Sequence, residues 1–265
     1  MTAQPSNVPF QRENLPAVDV DQFEVAAGSV PGREHLRLKR GSQDAFSFRQ
    51  ERDCLVAVVC DGCGSGAHSE VGAKLGARLL VSGLIARLAD GREPSRDILA
   101  AAVREDLLSQ LEFIATAIGG DPRDVISEYF LFTVVGAVIT PTITMTFSIG
   151  DGLVAVNGKC AELGPFNDNQ PPYPAYELLC PGFVDTYLEV HTAAPTAGIS
   201  SMVLASDGAL DLRDPLDEFW RRDLFFRNRD AVRRRLTIVN RDTAESRGPL
   251  LDDTTLISIR RRRDR

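Results

Sequence analysis

The stretch that most constrains what this chain can fold into is 54–68, CLVAVVCDGCGSGAH, where an apolar run ends abruptly in an acid and then dissolves into glycines. Residues 55–60 are too few for a buried helix and include three valines, so they read as a strand buried on both faces. Asp61 then falls where the strand leaves the core. A carboxylate there is costly unless something compensates its charge, and Gly62, Gly64 and Gly66 let backbone groups approach whatever does. The simplest compensating partner is a cation.

Three further stretches repeat this design: FSIGDG at 147–152, MVLASDGALD at 202–211, and LLDDTTLISI at 250–259, where the acids precede the strand. Corners so widely separated in the chain are most simply explained if their strand ends converge on one acidic site. Length and composition agree with a single soluble domain over 1–265, with 1–20 as an extended N-terminal segment and 261–265 as a solvated basic tail. The net charge of −7 argues against nucleic acid or an anionic membrane as the main partner, since both would be repelled at long range. Residues 1–20 lack the basic start and apolar centre of a signal peptide, and no run approaches a membrane span, so a cytoplasmic location is expected. No feature bears on oligomeric state. Five irregularly spaced cysteines give no disulfide framework. Cys60 and Cys63 have a Cys-x-x-Cys spacing, but no second pair completes a zinc site and the pair straddles a strand end, so buried thiols are the preferred reading.

Along the chain, Phe23, Val25 and Ala27 alternate with polar residues in a first strand, and 45–52 with 54–60 form a hairpin around Asp53. A helix runs from Ser69 to about Ala89, with Val71, Leu75, Leu79, Leu80, Leu84 and Leu88 on one face and Gly91 closing it. A second begins at the cap Ser95, carries Val103, Leu107, Leu111, Ile114 and Ile118, and stops at Gly119-Gly120. Residues 129–140, 142–149 and 153–157 read as a meander of antiparallel strands. The proline-rich 165–197 reads as a long covering loop with short extended pieces, followed by a helix near 230–240 and a last strand at 254–260. This order suits an α+β fold in which antiparallel sheets are covered by helices, not a doubly wound parallel sheet. Gly62-x-Gly64-x-Gly66 is therefore no dinucleotide fingerprint: its spacing is wrong and position 81 lies mid-helix, where an acid ending a second strand is required.

The chemistry has to come mostly from carboxylates, because no His-Glu-x-x-His, Gly-x-Ser-x-Gly or lysine-bearing phosphate loop is present. Hard oxygen ligands suit magnesium or manganese. Two such ions about 3.5–4 Å apart can hold a bridging water, lower its pKa and polarise a phosphoryl oxygen. Asp61 is placed to bridge them.

The order QDAF at 43–46, CDGCGSGAHSEVGA at 60–73, IGDG at 149–152, SDGALD at 206–211 and DDTTL at 252–256 resembles the type 2C, metal-dependent protein serine/threonine phosphatases (the PPM family). Gly32-Arg33-Glu34-His35 ahead of the Gln-Asp pair is similar to the opening of a bacterial subgroup. The resemblance covers roughly 32–259. It implies two packed antiparallel β-sheets flanked by helices, a four-layer α-β-β-α sandwich, and hydrolysis of a phosphorylated protein substrate by a metal-bridging hydroxide without a phosphoenzyme. It makes Asp61 the carboxylate between two tightly bound Mn2+ or Mg2+ ions, Gly62 a ligand through its carbonyl, and Asp207 and Asp252 ligands of the second ion. Asp44 would act one layer further out on metal-bound waters, and Asp151 and Asp211 match positions that can serve a third, weaker ion. Two departures stand out. Lys39 occupies the position of a frequent phosphate-holding arginine, and Asp252-Asp253 replaces Asp-Asn, leaving either acid as the ligand. Of His35 and Lys39, the histidine is preferred as phosphate holder, because a fixed donor loses less side-chain entropy; a loop-pinning role is its alternative. The rival to an enzyme is a regulatory or binding module that keeps the fold but turns over weakly.

Overall fold

In the computed structural model, residues 16–167, 170–212, 216–241 and 250–262 are described. The strand expected after Cys54 is β3 (Leu55–Cys60), buried at every position. It pairs antiparallel with β2 (Ala45–Gln50) and with β4 (Val134–Ile139), so the hairpin around Asp53 forms as its alternation requires. β5 (Ile143–Ile149) and β8 (Glu189–Pro195) complete a five-stranded sheet in the order β2-β3-β4-β5-β8. The second sheet has the order β1-β10-β9-β6-β7, built from β1 (Phe23–Val30), β6 (Gly152–Val156), β7 (Lys159–Leu163), β9 (Ser201–Ala205) and β10 (Thr254–Arg261).

Strand alternation divides the core into three parts. Leu55, Ala57 and Val59 of β3 face the other sheet, where they meet Leu204 and Ile257. Val56, Val58 and Cys60 face α2 (Ser69–Leu88), the helical stretch 96–118 and α5 (Pro122–Tyr129). The outer face of the second sheet packs Ala26, Val203 and Leu256 against α7 (Glu218–Arg221), α8 (Asp223–Arg227) and α9 (Ala231–Arg241). The result is the expected helix–sheet–sheet–helix sandwich.

Several details differ from expectation. The strand foreseen from Tyr129 starts only at Val134, because 122–129 is helical, with Asp121 capping the Arg123 N–H and Pro122 in the first turn. The meander is interrupted: β5 and β6 belong to different sheets, and Gly150 (φ 100°) and Gly152 (φ 137°) take the left-handed conformations that carry the chain across. The expected long loop contains a 3-10 turn (Pro174–Leu178), α6 (Phe183–Tyr187) and the edge strand β8. The segment after Gly32, for which no element was foreseen, is a short helix, α1 (Arg33–Arg37), followed by Lys39 with φ 55°. The second long helix is α3 (Arg96–Ala101), a π-helical stretch (Ala102–Leu108) and α4 (Ser109–Ile118) in succession. Arg261, expected in a solvated tail, is the last residue of β10. Residues 1–15 and 263–265 lie outside the described residues. No helix among the described residues is long and apolar enough to cross a membrane.

Candidate active site

The alternation that sends Leu55, Ala57 and Val59 into the space between the sheets sends Asp61 there too, one step past the apolar layer. Asp151 stands in the β5–β6 crossing, Asp207 follows β9, and Asp252 precedes β10. These four acids line a single cavity of about 250 Å³ at one end of the sandwich, together with Gly62 and Asp253. Among the described residues no lysine or arginine lines it.

The backbone at Gly62 is shaped by close approach. A Cβ there would lie 2.7 Å from the Gln43 carbonyl oxygen and 3.0 Å from Ser69 Oγ. Flanking bonds, Thr133 N–H to the Asp61 carbonyl (2.8 Å) and Cys63 N–H to the Leu131 carbonyl (2.9 Å), make Gly62 and Phe132 a non-hydrogen-bonded antiparallel pair. The Gly62 carbonyl therefore points away from that strand and stays available. Gln43 ties the loop: its side-chain amide donates to the carbonyl of Gly66 (3.2 Å) and to Ser69 Oγ (2.6 Å).

Electrostatically the site is an uncompensated acid cluster. Burial, then the charges of Asp44, Asp207 and Asp252, pushes the Asp61 carboxyl well above the ordinary range. The nearby Asp207 carboxylate adds to this upward push, and a cation placed between the acids would relieve it. Burial also raises Asp151, to about 6, with Asp207 adding to it, and burial raises Asp252. Asp44 lies beneath the cavity, buried; Ser206 Oγ donates to its Oδ2 at 2.7 Å, and burial followed by the Asp253 charge lifts it to about 8. One oxygen each of Asp44 and Asp207 is buried without a hydrogen-bond partner.

The adjacent acids 252 and 253 have different surroundings. Asp253 is buried and fully engaged: Oδ1 accepts from Gly32 N–H (2.6 Å) and faces His35 Nδ1 (2.8 Å), while Oδ2 accepts from Gln43 N–H (2.5 Å). Asp252 is on the cavity wall, its Oδ1 accepting only the N–H of its neighbour Asp253 among the described bonds. Besides Asp44, which lies beneath it, three residues singled out from the sequence are not brought to the wall. His35 is turned onto Asp253, which is the loop-pinning alternative; Lys39 sits exposed in the turn ending α1; and Asp211 Oδ2 accepts from Leu251 N–H at 3.0 Å. Sequence reasoning missed Ser206, Ser69 and Tyr173. The first two stand inside recognised motifs, whereas Tyr173 lies in a segment with no periodic signal.

The Cys-x-x-Cys pair does not act as a pair. Cys60 is buried on the helix side of β3, where burial and Asp44 push its thiol up. Cys63 lines the cavity, and although burial acts upward, hydrogen bonds from Ser65 and Tyr173 outweigh it and lower its pKa.

An all-oxygen set with orphaned buried oxygens, a free backbone carbonyl and no counter-charge fits hard divalent cations such as magnesium or manganese. Among the described residues, however, no three His, Cys, Asp or Glu side chains are arranged to hold an ion as they stand.

A family model described as protein phosphatase 2C matches residues 31–237. No curated protein sequence matches. Among solved structures, a bacterial serine phosphatase is similar with a TM-score of 0.60 at 17% identity, covering 92% of this chain and 99% of that one. The serine/threonine phosphatase Stp1 from Staphylococcus aureus gives 0.55 at 15% identity, covering 96% and 99%. Serine-threonine phosphatase 2C from Toxoplasma gondii gives 0.58 at 15%, covering 94% and 98%. At these identities the likeness to solved structures concerns the fold.

Proposed function

Because the chain belongs to the protein phosphatase 2C family, we propose that it is a metal-dependent protein serine/threonine phosphatase with the acid cavity as its active site. The observation that carries this reading is the convergence of Asp61, Asp151, Asp207 and Asp252, from four separate strand ends, on one cavity that no lysine or arginine among the described residues lines. Asp61 would stand between two manganese or magnesium ions, with the Gly62 carbonyl, Asp207 and Asp252 as further ligands. Bound there, the ions would let the acids coexist ionised, lower the pKa of a water and polarise a phosphoryl oxygen. Asp44, anchored by Ser206 through one oxygen and free at the other, is suited to orient water in the cavity. Asp253, engaged by Gly32, Gln43 and His35, holds the corner that presents Asp252. Asp151 is the wall residue suited to a weaker third ion, and Asp211, set off the wall with Oδ2 on the Leu251 amide, would have its other oxygen to offer. The phosphate ester of a serine or threonine side chain would be hydrolysed in one displacement: water oxygen bonds to phosphorus as the bond to the side-chain oxygen breaks, a proton from that water ends on the departing side-chain oxygen, and the products are the free hydroxyl and inorganic phosphate.

One observation favours the rival, a regulatory module with the fold but little turnover: no three side chains stand ready to hold an ion among the described residues. The experiment that separates them is hydrolysis of phosphoserine and phosphothreonine peptides with and without manganese. Release of phosphate that chelation abolishes supports the enzyme. A folded protein that binds manganese yet releases no phosphate sinks it in favour of the module.

A further inference from the structure

The segment 170–188 forms one wall of the acid cavity yet contributes no acid to it: Pro171 and Tyr173 are its lining residues. Tyr173 is 7% exposed and lines the cavity together with Cys63 of the glycine loop. Such a wall needs to be held in place, because the segment has no sheet partner until β8. Two features hold it. Aromatic rings step outward from the cavity, Tyr173 to Tyr176 at 5.5 Å and Tyr176 to Phe183 at 5.4 Å, both edge-on. A polar clamp lies beside them. Glu177, in the 3-10 turn that starts after Tyr173, accepts from Gly182 N–H (3.1 Å) and Val184 N–H (2.7 Å), tying the turn to the start of α6.

The fourth member of the clamp comes from across the molecule. Arg104 donates from Nε to Glu177 at 3.0 Å and reaches Asp185 with its other arm at 2.7 Å. Arg104 lies in the π-helical stretch Ala102–Leu108, where Val103, Leu107 and Leu108 stay in the core. A π stretch inserts an extra residue into the helix and so re-aims a side chain without breaking it. An exposed ion pair would matter little, but the Glu177 side chain is only 13% exposed and its removal from Arg104 leaves a mostly buried carboxylate with less compensation.

We propose that Arg104 is a positioning residue that acts through Glu177 to set Tyr173 as the fixed wall of the cavity, against which the substrate's phosphorylated side chain is held; the substrate part rests on the phosphatase reading. The acids come from other corners, so Arg104 governs substrate placement and not ion binding. The test is a double-mutant cycle on the full chain: wild type, Arg104→Ala, Tyr173→Ala and both together, with Tyr173→Leu, which removes the ring but keeps bulk, replacing Tyr173→Ala if the latter fails to fold. One readout is the KM and kcat for a phosphopeptide with manganese; the other, independent of activity, is the alkylation rate of Cys63 followed by peptide mass spectrometry. Arg104→Ala is expected to raise KM by about threefold or more and to change the Cys63 rate, with both effects absent once Tyr173 is replaced, as for residues of one network. Arg104→Lys, which keeps the charge but not the fork, should recover part of the KM. Equal effects of Arg104→Ala with and without Tyr173, on either readout, overturn the proposal. A wild type without phosphatase activity sinks the functional reading instead, and the alkylation cycle then decides the Arg104–Tyr173 coupling alone.

Discussion

Two neighbouring aspartates make the clearest residue-scale contrast. Asp253 receives two backbone amides and faces His35 Nδ1, whereas Asp252 looks into a cavity of like charges. Removing the charge at 253 weakens several charge-assisted bonds, each worth about 1.5–3 kcal/mol, and in a domain of this size roughly 2 kcal/mol lowers Tm by about 4–8 °C. Asp253→Asn should show a drop of that order in a thermal melt. Asp252→Asn should leave Tm unchanged or raised in metal-free protein, since it removes repulsion, yet lose nearly all phosphatase activity. The opposite pattern would make 253 the ligand. Asp61→Asn should lower kcat/KM by roughly two to three orders of magnitude, because several kcal/mol of charge stabilisation at the reacting group depends on it. Activity within a few-fold of wild type would remove Asp61 from the site.

At the scale of elements, α2 shows what its sequence conceals. Its ends are written plainly, but the leucine stripe suggests a face through Val71, Leu75 and Leu79, while Gly72, Ala73, Gly76 and Ala77 are the residues buried with Leu80 and Leu84. The helix packs so closely that a Cβ on Gly72 would lie 2.0 Å from the Tyr129 carbonyl oxygen, and one on Gly76 2.4 Å from the Phe132 ring. Small residues carry little hydrophobic signal, so close packing of this kind is invisible to periodicity. Gly72→Ala tests it. Helix propensity alone favours alanine by about 1 kcal/mol, yet overpacking costs typically 1–3 kcal/mol. The substitution should therefore lower Tm, and a rise would mean that α2 stands further off. β8 escaped for a related reason: an edge strand reading EVHTAAP, with no position buried, lacks the apolar alternation that marked β3. The acid corners were readable because each joins an apolar run to an Asp-Gly or Asp-Asp pair. Tyr173 and Arg104 were not, because their roles exist only across the fold.

For the whole molecule, the acid cavity couples folding to pH. Asp44, raised to about 8, and Asp151, raised to about 6, hold protons in the folded state that an unfolded aspartate, with a pKa of about 3.9, has already released. A raised carboxylate pKa contributes stability that is fully present below about pH 4 and is lost as pH climbs through about 6 and then about 8. Tm of the metal-free protein should accordingly fall between pH 5 and pH 8.5. Asp44→Asn, which needs no proton to stay neutral, should flatten the upper part of that fall. On the proposed reading manganese would take the place of the bound protons, so it should stabilise most where they have left, with a Tm gain larger at pH 8 than at pH 5 and protons released on binding. At a hundredfold excess over its dissociation constant an ion adds about 2.7 kcal/mol, large enough to read in a melt. Melts across pH, with manganese and with chelator, decide it: a Tm indifferent to both would mean that the cavity neither stores protons nor exchanges them for an ion.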